Sequence, residues 1–218
     1  MKVYNFLIRN LLKHNIKKHA QNYLSGKLLD IGCGTKQYKD ILAPIVSEHV
    51  GVDYSETLHG IENADIVATA YDIPVDDGSY DSVLCTEVIE HLEEPEKAFE
   101  EIIRVLKPGG YALVTNPFIW HLHEEPRDFY RYSKYGLEFL AKKKGFEVIL
   151  IEAIGGFWIT FGQLFVYWLH TYNKGIIRYT MLIPAIGVVV QLLAFGLNKI
   201  SYRPQWCSHY ISVFRKPA

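Results

Sequence analysis

Cysteine is scarce in this 218-residue chain: Cys33, Cys85 and Cys207, with no C-x-x-C pair. That scarcity excludes a disulfide framework and a cysteine-rich zinc site, and it fits a reducing compartment with the thiols packed as small core residues. Strong charge of either sign is also absent. The 23 Lys and Arg against 24 Asp and Glu give a net charge of −1, so no global basic field favours nucleic acid as a partner. No secretory signal is readable, because Arg9, Asn10 and Lys13 interrupt the N-terminal apolar residues before an h-region can form. The expected location is the cytoplasm, extending to the inner membrane surface. Finally, one glycine is missing. In LLDIGCGTKQY, residues 28–38, Gln37 stands where a G-x-G-x-x-G fingerprint needs its third glycine, which argues against a bound pyrophosphate.

What that segment does contain is a short apolar run, an acid at Asp30, and Gly32 and Gly34 with one residue between. A buried parallel strand reads as a continuous apolar run, and glycines at its C-terminal end let the backbone turn and approach a ligand with no Cβ in the way. An acid two residues before the first glycine, with no phosphate-binding lysine, suits a ligand with a cationic amino-acid end and a nucleoside end. S-adenosylmethionine (SAM) is such a ligand.

Strand-like runs recur along the chain at 49–55, 65–70, 80–88, 111–117, 147–154 and 208–216. Between them, 95–110 opens with a proline and closes on Pro108, Gly109 and Gly110, and 133–145 opens with an N-cap serine and closes on Gly145; each predicts a helix. Strands alternating with helices predict a mostly parallel sheet with helices on both faces. Residues 1–24 show helical apolar spacing, with Lys2, Arg9, Lys13, Lys17 and Lys18 between and no acid before Asp30. This predicts a basic amphipathic helix that either covers the sheet or faces anionic lipid or a phosphorylated substrate.

Residues 153–173 and 179–198 each lack Asp, Glu, Lys and Arg. Both approach the ~20 residues that cross a bilayer. Lys174 and Arg178 between them, with Gly155, Gly156, Gly162, Pro184, Gly187 and Gln191 inside them, count against spanning. The expectation is one domain, 1–218, in which 155–205 is an apolar helical insert that caps the active site or rests in the membrane surface, with a plain buried helical subdomain as the alternative.

Four motifs in order carry a family resemblance: LLDIGCGTKQY at 28–38, GVDYSE at 51–56, YDIPVDDGSYDSVLCTEVIEHL at 71–92 and LKPGGYALVTNP at 106–117. Over roughly residues 24–154 plus the last strand, the chain resembles the small class I SAM-dependent methyltransferases. The resemblance implies an α/β, Rossmann-like three-layer sandwich whose seven-stranded, mostly parallel sheet has its last strand antiparallel, with SAM as cofactor over the C-terminal strand ends. Carried onto these motifs, the expected cofactor-binding residues are Asp30, Gly32, Gly34, Asp53, Tyr54, Asp72, Ile73 and Thr86. Asp30 would face the ammonium end, Asp53 the ribose hydroxyls and Asp72 the adenine amino group, with Ile73 packed on the ring.

An oxygen acceptor needs its proton removed, and the candidates are Glu87, Glu90 and His91 in TEVIEHL, with His121, His123, Glu124 and Asp128 in WHLHEEPRDFYRYS. His91, His123 and Glu87 are the expected catalytic residues. A helix starting near Glu87 would put Glu87, Glu90 and His91 on one side. A similar E-x-x-E-H, joined by a later histidine, binds a divalent metal in small-RNA 2′-O-methyltransferases, which makes Glu87, Glu90, His91 and His121 or His123 candidate ligands; a metal-independent pocket is the preferred expectation. The segment 116–140 is similar to one in bacterial methyltransferases associated with surface polysaccharides. Its Trp120, Phe129, Tyr130 and Tyr132 would stack on a sugar and its Arg127 and Arg131 would pair with an anion, or else they order a loop by Arg/Asp pairing.

The expected function is O-methylation of a small molecule such as a sugar or lipid-linked glycan precursor, with peripheral membrane contact. The alternatives are a quinone or isoprenoid acceptor, then RNA 2′-O-methylation, then a non-catalytic SAM-binding partner protein.

Overall fold

In the computed structural model, residues 3–58 and 60–218 are described, so Lys2 of the expected basic helix lies outside the described residues. Seven strands form one sheet in the order β3-β2-β1-β4-β5-β7-β6. They are β1 (Lys27–Ile31), β2 (Glu48–Asp53), β3 (Ile66–Val67), β4 (Tyr80–Thr86), β5 (Leu106–Pro117), β6 (Glu147–Ile154) and β7 (His209–Arg215). The first five pair in parallel, with Asp30 level with Gly51 on one side and Leu84 on the other. β7 runs antiparallel to β5, since Gly109 N donates to the Lys216 carbonyl and Lys216 N to the Gly110 carbonyl. The expected fold class is the one found.

The chain divides into two compact units: residues 16–117, 122–152 and 210–218, and residues 1–15, 118–121 and 153–209. The larger contains the sheet's core, and its layers follow from strand alternation. Leu29, Ile31, Val83, Cys85, Ala112, Val114 and Phe214 share one buried cluster with Phe99 and Ile102 of α3 (Pro95–Val105) and with Leu137 and Leu140 of α4 (Lys134–Lys143). Their strand neighbours Leu28, Leu84, Leu113 and Val213 are equally buried but belong to the opposite face. On that face the C-terminal half of α1 (Phe6–Tyr23) buries Ile16 and Ala20, and Tyr23 meets Tyr111 at 5.5 Å between ring centroids. α4 starts as expected, with the Ser133 side chain accepting from Gly136 N.

Three of the boundaries that differ from expectation have a visible cause. The helix expected over 95–110 ends at Val105, because Leu106–Pro117 is already extended and Gly110 sits in the pairing with Lys216. The strand expected over 65–70 is only Ile66–Val67, because the chain turns at once, with Thr69 and Asp72 facing each other across the turn. The strand expected over 80–88 stops at Thr86, where Glu87 takes a φ of +55°.

In the smaller unit, α5 (Phe157–His170) and α6 (Leu182–Ile200) pack where glycine removes a side chain. A Cβ on Gly162 would stand 2.8 Å from that of Ala194. Two buried glutamines serve the N-terminal segment: Gln191 Oε1 accepts from Leu7 N at 2.9 Å, and Gln163 Nε2 donates to the Tyr4 carbonyl. The Leu7 N–H is a first-turn donor with no partner inside its own helix, which explains a polar side chain within an apolar one.

Phe99 is fully buried between Phe146 and Phe214, at 6.1 and 5.7 Å between centroids. Phe99→Ala should cost about 3–5 kcal/mol of unfolding free energy, measured by urea titration of the full chain.

Candidate active site

The C-terminal ends of β1, β2 and β4 open into a cleft of about 390 Å³, within the usual range for small-molecule sites. Its walls come entirely from the larger unit: Gly32 after β1; Asp53 to Leu58 after β2; Thr69 to Tyr71; Glu87 to Glu93 after β4; and Glu124 to Arg127.

The glycine loop is shaped by close approach. Gly32 has φ +68°, and a Cβ there would stand 2.3 Å from Val88 Cγ2. Asp53, 7% exposed, ties this loop to the end of β2, accepting from Gly34 N at 2.6 Å and from Tyr54 N at 2.8 Å. Cys33, between the two glycines, has its thiol pushed up by burial to about 12, which leaves it a packing residue.

On the opposite wall Glu87 adopts the left-handed conformation, rare for a residue with a side chain. Its N–H bonds to the Thr115 carbonyl and its carboxylate accepts from Thr115 Oγ1 at 2.7 Å. The helix expected to begin near Glu87 is therefore not formed. A short 3₁₀ turn, Ile89–His91, takes its place, and Glu87 is turned away to β5. Glu90 is fully buried, and among the described residues neither of its carboxylate oxygens has a hydrogen-bond partner. Burial, and secondarily Glu87, hold its carboxyl well above the ordinary carboxylate range.

The Glu90 main chain anchors the loop beyond it, its carbonyl accepting from Phe129 N and Tyr130 N. His91 Nδ1 bonds to the Arg127 carbonyl. A carbonyl can only accept, so Nδ1 carries a proton, which makes Nε2 the acceptor in the neutral form of the ring. His91 Nε2 lies 3.7 Å from a Glu90 oxygen and 3.8 Å from a Glu124 oxygen. His123 packs on the His91 ring at 4.8 Å between centroids, its pKa lowered by burial against the pull of Asp128. Asp128 is gripped by both terminal nitrogens of Arg131 at 2.6 and 2.7 Å and accepts from His123 N. Burial alone would raise its carboxyl; these partners hold it at about 2.

Of the expected site residues, Gly32, Asp53, Tyr54, Glu87 and His91 line the cleft. Gly34 stands behind Asp53, and Thr86 is buried at the end of β4. Asp30 is buried beside His49 Nε2 at 2.9 Å, its carboxyl pushed up by desolvation against that hydrogen bond. Ile73 is in the core, with its N–H donated to Glu101, and Asp72 faces solvent; Thr69, Ala70 and Tyr71 reach the cleft instead. The offset follows from the turn between Thr69 and Asp72, which presents Thr69, Ala70 and Tyr71 together to the cleft. His49, Thr69, Tyr71 and Glu93 were not read from the sequence, which offers no glycine or motif signal for them. Glu90, His91 and His123 each bring a donor atom within 4.8 Å of the others', while Glu87, the fourth candidate ligand, is held by Thr115. Arg127 lies over the Tyr54 ring and Arg131 is committed to Asp128, so Arg/Asp pairing orders this loop.

Residues 29–114 match a family model described as a methyltransferase domain. Over that stretch the chain is similar to methyltransferase domains. It is 28% identical over 127 residues to a ubiquinone biosynthesis O-methyltransferase of Bordetella avium, covering 52% of this chain and 50% of that one. Over 97 residues it is 34% identical to a demethylmenaquinone methyltransferase of Clavibacter sepedonicus, covering 40% of each. The chain thus spans about half the length, or less, of these curated relatives. The fold superposes on that of a SAM-dependent methyltransferase from Archaeoglobus fulgidus with a TM-score of 0.61 at 19% identity, over 95% of this chain and 94% of that one. SAM is named with a relative of this chain, a probable S-adenosylmethionine-dependent methyltransferase of Mycolicibacterium smegmatis that is 34% identical over 96 residues, 41% of this chain and 37% of that one, and the cleft fits it: a loop with no Cβ at Gly32, beside a carboxylate at Asp53 that holds two N–H partners.

Gly32→Ala should abolish S-adenosylhomocysteine binding, or weaken it at least ~10-fold, by calorimetry. Asp128→Asn should lower stability by about 2 kcal/mol at neutral pH. Because the native pKa of Asp128 is depressed, that contribution is present above about pH 4 and lost as the pH falls towards 2, so wild-type and variant unfolding curves should converge there.

Proposed function

We propose that this chain transfers a methyl group from SAM to an oxygen of a neutral, hydroxyl-bearing small molecule, with His91 as the base. The observation that carries this reading is the His91 tautomer: with Nδ1–H committed to the Arg127 carbonyl, Nε2 is the ring's acceptor, on a residue that lines the cleft. Gly32, Asp53, Tyr54 and the Thr69–Tyr71 turn would hold the cofactor, with Asp30, Gly34, Asp72, Ile73 and Thr86 around them. When bound, SAM supplies an electrophilic methyl group on a sulfonium. Nε2 would take the acceptor's hydroxyl proton as the acceptor oxygen gains the methyl group and the methyl–sulfur bond breaks to leave S-adenosylhomocysteine, and the Glu124 carboxyl beside Nε2 would offset the charge that the ring gains. His123, packed on the ring, restricts its rotation. Holding oxygen and methyl in line is worth up to ~7–11 kcal/mol, the larger share of the rate.

The acceptor class follows from charge. Six acidic residues line the cleft, Asp53, Glu56, Glu87, Glu93, Glu124 and Glu125, against Arg127 and His91. Such a lining disfavours phosphate-rich acceptors and with them RNA. Sugars and hydroxylated quinones both satisfy it. The two quinone-pathway relatives favour a hydroxylated isoprenoid ring, and the aromatic residues of 116–140 keep a lipid-linked sugar as the second reading.

His91→Ala should lower transfer at least ~100-fold while leaving S-adenosylhomocysteine affinity within about twofold. Incubating the protein with labelled SAM and a membrane extract, then extracting into organic solvent for mass spectrometry, should label a lipid; a hexose mass identifies a glycolipid and an isoprenoid ring a quinone. Label confined to water-soluble products would overturn the lipid-borne acceptor. Full activity in EDTA is expected; abolition by EDTA and recovery with a divalent cation would reassign Glu90, His91 and His123 as metal ligands.

A further inference from the structure

The net charge of −1 conceals a division. The smaller unit contains seven of the 23 Lys and Arg, at Lys2, Arg9, Lys13, Lys174, Arg178, Lys199 and Arg203, and none of the 24 Asp and Glu. The larger unit therefore holds 16 cations and 24 acids. A polypeptide stretch with seven cations and no acid is complementary to an anionic surface.

The same unit presents an extended apolar face. On α5, Trp158, Phe161, Phe165 and Trp168, followed by Tyr172 just past the helix end, are all exposed and recur at steps of three and four, which places them on one stripe. On α6, Val189, Leu192 and Leu193 are each more than half exposed, whereas Gly187, Gln191 and Ala194 are buried. Monomeric soluble proteins rarely leave so large an apolar surface to water.

The geometry favours a bilayer surface over a span. α5 has 14 residues, about 21 Å, short of a ~30 Å hydrocarbon core. The buried side of the helix pair is committed through Gln163 and Gln191 to the N-terminal segment, where Arg9, Asn10 and Lys13 are exposed. A pair carrying hydrated cations along one side cannot be enclosed by hydrocarbon. Cations also flank both ends of α6, Lys174 and Arg178 before it, Lys199 in its last turn and Arg203 after it. A helix lying in the plane of the membrane brings both ends to headgroup level, and Trp and Tyr on its neighbour suit that depth.

We propose that this unit is a monotopic membrane anchor, seating the apolar face of α5 and α6 among the headgroups of a bilayer that contains anionic phospholipid. The proposal does not depend on the acceptor or on methyl transfer; S-adenosylhomocysteine binding enters its test only as a report of folding. Full-length protein is floated with vesicles of phosphatidylcholine alone and of phosphatidylcholine mixed equally with phosphatidylglycerol. Flotation should be strong with the mixture, weak with phosphatidylcholine, and reduced by salt, and tryptophan emission should shift to the blue on binding. Phe165→Glu with Trp168→Glu should abolish flotation. Lys174→Glu with Arg178→Glu should weaken binding to the mixed vesicles at least ~20-fold, from roughly fivefold per cation. Unchanged S-adenosylhomocysteine affinity reports that each variant is folded. Protein that stays unfloated with both vesicles while binding S-adenosylhomocysteine would overturn the proposal. So would a dimer by light scattering that Trp168→Glu dissociates, since a second copy would then cover the face. Equal flotation with both vesicles would overturn its anionic component.

Discussion

A single carboxylate holds the ligand end of the sheet together. Asp53 closes β2 and accepts from main-chain donors on two sides, Gly34 in the loop after β1 and Tyr54 in the segment after its own strand. Parallel strands end at one edge, and the chain must leave each of them through a turn whose N–H groups lack ladder partners. Satisfying two with one side chain fixes the glycine loop against the neighbouring strand. With that loop fixed, Gly32 can lie against Val88, and the left-handed turn at Glu87 can set the path of the 3₁₀ turn that ends in His91.

The acceptor wall depends on main-chain contacts more than on charged pairs. The Glu90 carbonyl holds Phe129 and Tyr130, and the Arg127 carbonyl holds His91. The strong ion pair of the region, Asp128 with Arg131, is spent on the shape of the loop. This division separates two kinds of residue that look alike in the sequence: Arg131 and Asp128 are structural, while His91 and Glu124 line the cleft.

The parts of the fold legible in the sequence are those where local chemistry leaves one option. Gly32 and Gly34 announce a turn that only glycine makes cheaply, Ser133 announces a helix start, and the apolar runs at 28–31 and 82–85 announce strands buried on both faces. The illegible parts were decided by tertiary competition. Nothing in TEVIEHL reveals that Thr115, on another strand, draws Glu87 out of a helix. Nothing in TAYDIP tells whether Tyr71 or Asp72 faces the ligand, since a turn one residue earlier exchanges their sides. The charge division was present in the chain, but it became visible only when the structure showed which distant segments form one unit.

The hydrogen bond between Leu7 and Gln191 joins residues 184 positions apart, and the one from Gln163 to Tyr4 spans 159. A ribosome working towards the C-terminus makes α1 well before the helices that supply these partners. Until α6 has emerged, the opening turn of α1 has neither its buried acceptor nor its apolar neighbours, whereas much of the sheet pairs between segments far closer in sequence. The smaller unit is therefore completed late in synthesis, and its apolar helices pass through the exit tunnel just before they are needed.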